Sequence, residues 1–195
     1  MDALKSNLAK TKILSSNLLD KIKFTNITEE TPFSSITIRH LLRKNKMSLK
    51  EISIEYKTDM MREETRILVD EIGLEEFPVL ELLRFRMNRS YLLAEQICPY
   101  FIRLSQDKNN LKVLDLSDNA LGSKDIKLIL ESIEFLALTD LDLSFNFFGR
   151  DVTKLLIQMV ETSKTCNEID HHLMHSLKNL GLRDTSIIFS VTEIS

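Results

Sequence analysis

Two stretches of the chain share one pattern of apolar and polar positions: LKVLDLSDNALG from Leu111 and LTDLDLSFNFFG from Leu138. Each sets apolar residues at offsets 0, 3 and 5, asparagine at 8, an apolar residue at 10 and glycine at 11. Six constrained positions recurring at a spacing of 27 residues mark an internal repeat. Downstream the frame takes in Leu177, Leu180 and Leu182, with Thr185 at the asparagine position. Upstream it takes in Leu80, Leu83, Phe85 and Asn88. Earlier still come Leu49, Ile52 and Ile54, then Leu19, Ile22 and Phe24, with Lys57 and Ile27 where asparagine would stand. Repeat starts therefore fall near 19, 49, 80, 111, 138 and 177.

A strand alternates its side chains, so offsets 3 and 5 face one side and offsets 2, 4 and 6 the other. The asparagine ends the strand, and its amide is able to satisfy backbone groups left unpaired in the turn. The segment after each turn has helical spacing: Ile126, Ile129, Leu130 and Ile133 in the fourth unit, Val152, Leu155, Leu156 and Met159 in the fifth. The second unit offers Met61, Thr65, Leu68 and Ile72, stopped by Gly73. In the first, Thr31-Pro32 reads as an N-cap followed by proline at the first helical position. Pro99 is expected to kink or end the helix of the third unit early.

This strand-plus-helix unit resembles the ribonuclease-inhibitor-like class of leucine-rich repeats, most specifically in units three to five and loosely elsewhere over 19–195. The resemblance implies an α/β fold: a right-handed solenoid of about six units, curved into a horseshoe. It also implies parallel strands on the concave face, helices on the convex face, and protein recognition as the work. Ribonuclease inhibitor itself is cysteine-rich and much longer, so the resemblance does not name ribonuclease as target. Residues 1–18 carry Leu4, Leu8, Thr11, Leu14 and Leu18 at helical spacing and read as an N-terminal capping helix, with a membrane-surface or partner helix as alternative. Ile187, Ile188, Phe189, Val191 and Ile194 would cover the last strand.

On the solvent side of the strands, offset 4 reads Lys23, Ser53, Arg84, Asp115, Asp142, Gly181, and offset 6 reads Thr25, Glu55, Arg86, Ser117, Ser144, Arg183. Offset 7 reads Asn26, Tyr56, Met87, Asp118, Phe145, Asp184. An arginine pair, Arg84 and Arg86, thus neighbours an acidic group of Asp115, Asp118, Asp140 and Asp142, with Tyr56, Met87 and Phe145 along one edge. Arg183 adds a further cation to the face. Interfaces favour this mixture of aromatic, methionine and arginine anchors with steering charges. The alternative is that the arginines pair with Asp115 and its neighbours across adjacent strands.

Composition agrees with a globular domain: 195 residues, 43% hydrophobic and 28% charged, with a net charge of −3. That charge argues for neither nucleic acid nor an anionic membrane, and the basic positions are interrupted by acidic strands that would repel phosphate. No apolar run reaches the roughly 18 residues of a membrane span, and Lys and Asp interrupt the leucines of the first residues. Cys98 and Cys166 form no disulfide framework and fit a reducing compartment. The expected location is cytoplasmic, or the cytosol of a host if the chain is a secreted effector.

No phosphate loop, nucleophile elbow, HExxH or paired-cysteine motif is present. The expectation is a non-enzymatic, monomeric protein-binding module with no cofactor and no metal. Two alternatives remain: a bacterial effector acting on a host protein through the same surface, and a metal-binding or catalytic role near Cys166, Asp170, His171, His172 and His175.

Overall fold

The computed structural model describes residues 19–25, 35–56, 69–70, 72, 76–87, 93–106, 109–165, 173 and 176–183. Among these, six strands form one sheet: β1 (Lys21–Thr25), β2 (Glu51–Tyr56), β3 (Leu82–Met87), β4 (Val113–Asp115), β5 (Asp140–Asp142) and β6 (Asn179–Gly181). They pair in sequence order and every pair is parallel. Parallel neighbours need crossovers, and the described ones contain helices: α1 (Ser35–Asn45), α2 (Leu93–Gln106), α3 (Ser123–Ile133) and α4 (Arg150–Thr165).

Lys21, Glu51, Leu82, Val113, Asp140 and Asn179 stand side by side across the sheet, and the rows after them keep step. Residues of equal offset in the sequence frame are therefore cross-strand neighbours. One backbone bond recurs just before each strand: Lys50 to Asp20, Glu81 to Lys50, Lys112 to Glu81, Thr139 to Lys112 and Lys178 to Thr139, at 2.7–2.9 Å. Burial fixes this register, because a one-residue slip would turn Ile52, Ile54, Leu83, Phe85, Leu114 and Leu141 out of the core.

Those side chains share one apolar cluster with Leu42 of α1, Ile97 and Phe101 of α2, Ile126, Ile129, Leu130 and Ile133 of α3, and Val152 and Leu156 of α4. The helices thus cover the side bearing offsets 3 and 5, and no described helix covers the side bearing offsets 2, 4 and 6, where Ser53, Asp115, Ser117 and Ser144 are nevertheless buried. Fully burying a side chain such as Phe85 or Phe101 contributes roughly 1.5–3 kcal/mol, so the cluster dominates the stability of the described fold.

Two turns are built alike around buried asparagines. Asn119 Nδ2 donates to the carbonyls of Phe85 (2.8 Å) and Leu116 (2.7 Å). Asn146 Nδ2 donates to those of Leu116 (2.9 Å) and Leu143 (2.9 Å). Asn146 Oδ1 in turn accepts the backbone N–H groups of Asn119 (3.2 Å) and Leu121 (3.0 Å). Each asparagine therefore ties its own turn to the preceding one. Asp118 and Phe145, immediately before them, adopt the left-handed conformation at φ 58°. The N-termini of α3 and α4 are linked as well: Gly149 N–H donates to Ser123 Oγ, whose hydroxyl donates to Asp151, and Lys127 pairs with Asp151 at 2.6 Å.

Helix α2 runs through Pro99 to Gln106 rather than ending there. Pro99 lies on the exposed side of this helix. The segments 1–18, Thr31-Pro32, Met61 to Leu68, Gly73 and 187–194 lie outside the described residues. No helix among the described residues is long and apolar enough to cross a membrane.

Candidate functional site

The open side of the sheet gathers most of the residues singled out from the sequence. Its middle is an ion network running along the rows at offsets 4 and 6. Lys23 pairs with Glu55 at 2.9 Å, Glu55 with Arg84 at 3.6 Å, Arg84 with Asp115 at 2.7 Å and Arg86 with Asp115 at 2.9 Å. The Asp115 carboxylate is only 5% exposed, whereas the side chains of Arg84 and Arg86 are 27% and 42% exposed. The arginines shield the carboxylate from water, and an approaching molecule meets guanidinium groups.

Asp115 holds its place by local geometry. Its Oδ1 accepts the hydroxyl (2.6 Å) and backbone N–H (3.1 Å) of Ser117, two residues on, while Oδ2 takes both arginines. Burial pushes its carboxyl pKa up, but Ser117, Arg84 and Arg86 outweigh that and hold it below the ordinary carboxylate value. Glu55 follows the same logic: burial raises it, and Lys23, Arg84 and Arg86 bring it down. Burial disfavours the charged form of Arg86, yet Asp115, Glu55 and Asp142 more than compensate. Arg86 Nε is nevertheless buried without a hydrogen-bond partner, so Arg86 is held less completely than Arg84.

Asp142 occupies on β5 the place of Asp115 on β4, and its Oδ1 likewise accepts the N–H of Ser144 at 2.9 Å. Among the described residues no arginine forms an ion pair with it, because the preceding strand offers Asp115 and Ser117 at the matching offsets. On the other side it lies over Gly181, where an added Cβ would come within 2.7 Å of its carboxylate carbon. Glycine at 181 is what admits the carboxylate. Asp140 is engaged by Thr139 and Asn179, which together hold its pKa below the usual range.

The edge of this face carries the apolar residues. Tyr56 and Met87 are cross-strand neighbours at the ends of β2 and β3, although their side chains lie outside what is described. Phe145 is 47% exposed and Phe147 64%, both in the turn after β5, while Phe148 beside them is buried. Phe147 was not singled out from the sequence. The available signal was its place at offset 9, where the equivalent residue of the preceding unit is Ala120 and no apolar side chain is required. Asp118 and Arg183 are both exposed near this turn. The sheet face thus brings together Arg84, Arg86, Asp115 and Asp142, with Phe145, Asp118 and Arg183 at its edge.

Phe145→Asn should leave the fold intact. A left-handed backbone costs an ordinary side chain about 1–2 kcal/mol, and asparagine tolerates it. That relief offsets the packing that a half-exposed ring supplies, so we expect a melting temperature within roughly 4 °C of wild type, read by circular dichroism. A much larger drop would show that the ring belongs to the core.

Cys98 is buried in the apolar cluster, and burial raises its thiol pKa, which suits an unreactive packing residue. Cys166, Asp170, His171, His172 and His175 lie outside the described residues. Among the described residues no group of three or more His, Cys, Asp or Glu is placed to hold a metal ion. No protein-family model matches the chain, and a search of the curated proteins finds no match.

Proposed function

We propose that this chain is a leucine-rich-repeat solenoid of the ribonuclease-inhibitor-like class and that it binds a partner protein on its open strand face without catalysing a reaction. On this reading the sheet curves with that face concave and the helices form the convex side. The repeated strand register, the paired asparagine turns and the shared backbone bond before each strand support the repeat assignment.

The observation that carries the binding role is the composition of the open face. No described helix covers it, and it displays partly exposed arginines on β3 and two exposed phenylalanines in the turn after β5. Arginine and aromatic side chains on a rigid support are the groups that dominate protein interfaces. A sheet restrained by the buried network loses little conformational freedom when a partner docks. The chain would act in the cytoplasm, or in a host cytosol if it is an effector.

The test is site-directed photo-crosslinking. A photoreactive amino acid placed at Phe145 is expected to capture a discrete partner from lysate, while the same group at Ile102 or Ile157, exposed on the helices, captures none. Capture of the same partner from the helix positions and not from Phe145 would overturn the proposal.

A further inference from the structure

The ion pairs of the open face lie on its β1–β4 side, with Asp142 also favouring the charge of Arg86. From β1 to β4, Lys23, Glu55, Arg84, Arg86 and Asp115 are bound to one another. At the β5 end, Asp118 and Asp142 form no ion pair among the described residues, and they flank the turn bearing Phe145 and Phe147. The Asp118 amide donates to the Ser144 carbonyl at 3.0 Å, which sets Asp118 alongside the start of this turn, and Asp142 lies three residues before Phe145. The amides of Phe145 and Phe147 are bound to the carbonyls of Arg183 and Leu121 at 2.8 Å, so the backbone carrying both rings is fixed.

Such a turn asks for an occupant that is apolar along its stem and positive at its tip. An aromatic ring is hydrophobic, and its face is electrically negative. Lysine and arginine lay their methylene stems on apolar surface and carry the charge that an aromatic face and a carboxylate both attract. An acidic segment would meet Asp118 and Asp142 with the wrong sign. Arg183, exposed on the β6 side, limits the favourable region to the side of Asp118 and Asp142.

We propose that the Phe145–Phe147 turn, flanked by Asp118 and Asp142, docks a basic segment of the partner protein, with its Lys or Arg side chains against the rings. This inference rests on the strand-face reading and specifies the chemistry of what binds there.

Three fluorescein-labelled peptides test it on the full chain: repeats of Arg-Leu-Ser, of Asp-Leu-Ser and of Ser-Leu-Ser. Fluorescence anisotropy gives affinity and amide chemical shifts give position. The arginine peptide is expected to bind most tightly and to shift amides of residues 118, 142 and 145–147. Phe145→Asn with Phe147→Ser, or Asp118→Asn with Asp142→Asn, is expected to weaken it at least tenfold; asparagine at 142 keeps an acceptor for the Ser144 amide. Equal binding of the neutral peptide, or no binding by any, overturns the inference. Preference for the aspartate peptide with shifts at Arg84 and Arg86 overturns it while leaving the strand face as the binding surface. Shifts confined to α2–α4 overturn both.

Discussion

Replacing Asn146 with alanine is expected to cost about 4 kcal/mol and to lower the melting temperature by roughly 8–16 °C. Its side chain donates to the Leu116 and Leu143 carbonyls and accepts the amides of Asn119 and Leu121, all in the interior. Alanine removes that partner from all four backbone groups; the Leu116 carbonyl keeps Asn119, and each of the other three costs about 1–3 kcal/mol where water cannot reach. Partial relaxation keeps the total near the lower end. Asn146→Asp is a sharper probe: it keeps the acceptor but sets a carboxylate oxygen against the Leu116 and Leu143 carbonyls where water cannot reach, so at neutral pH it should cost at least as much as alanine. Urea titration measures both. A loss below about 1 kcal/mol for alanine would mean that the turn does not depend on this side chain.

Asp115→Ala should be the next most damaging change, at about 3 kcal/mol. It leaves the buried Ser117 hydroxyl unpaired and brings two guanidinium groups together with no anion between them. Removing one partner of a buried charge cluster usually costs more than the cluster adds to stability when intact, since the remaining charges lose their compensation. The same residue governs the acid response. Its pKa in the folded chain lies below the unfolded value of 3.8, so its contribution is fully present above that value and is lost as pH falls through the folded pKa. Stability measured from pH 6 down to about 3 should decline for wild type, and Asp115→Asn should flatten the lowest part of that curve. An unchanged acid slope in the variant would show that other carboxylates set it.

The strand register is written openly in the sequence, because burial of Leu114, Leu116, Leu141 and Leu143 admits only one pairing and the same spacing recurs in every unit. The asparagine role was legible for the same reason: a polar residue fixed at offset 8 amid apolar positions needs backbone partners. The fate of the polar row was not legible. Offset 4 places Asp115 beside Arg84, but whether the arginines lie over it or extend away depends on side-chain conformation. Asp115 and Asp142 share one offset and one serine two residues on, yet one is buried under arginines and the other is not. The difference comes from their neighbours, Arg84 and Arg86 before β4 against Asp115 and Ser117 before β5. Pro99 does not end its helix; it lies on the exposed side, which follows from how the helix packs and not from its spacing alone.

These contrasts separate what holds the chain together from what would engage a partner. Asp115, Asn119 and Asn146 are buried and serve the fold. Phe145 and Phe147 are exposed on a turn whose backbone is already satisfied, so removing them should spare stability and cost binding.

The most direct measurement is quantitative capture of the partner crosslinked at Phe145, comparing wild type, Phe145→Asn with Phe147→Ser, and Ile157→Ser on α4, each with a matched thermal melt. The account predicts that the turn variant melts near wild type and retains less than about one tenth of the partner, a loss of at least 1.4 kcal/mol in binding, while the helix variant retains all of it. Undiminished capture by the folded turn variant, or loss of capture by the helix variant alone, would contradict it.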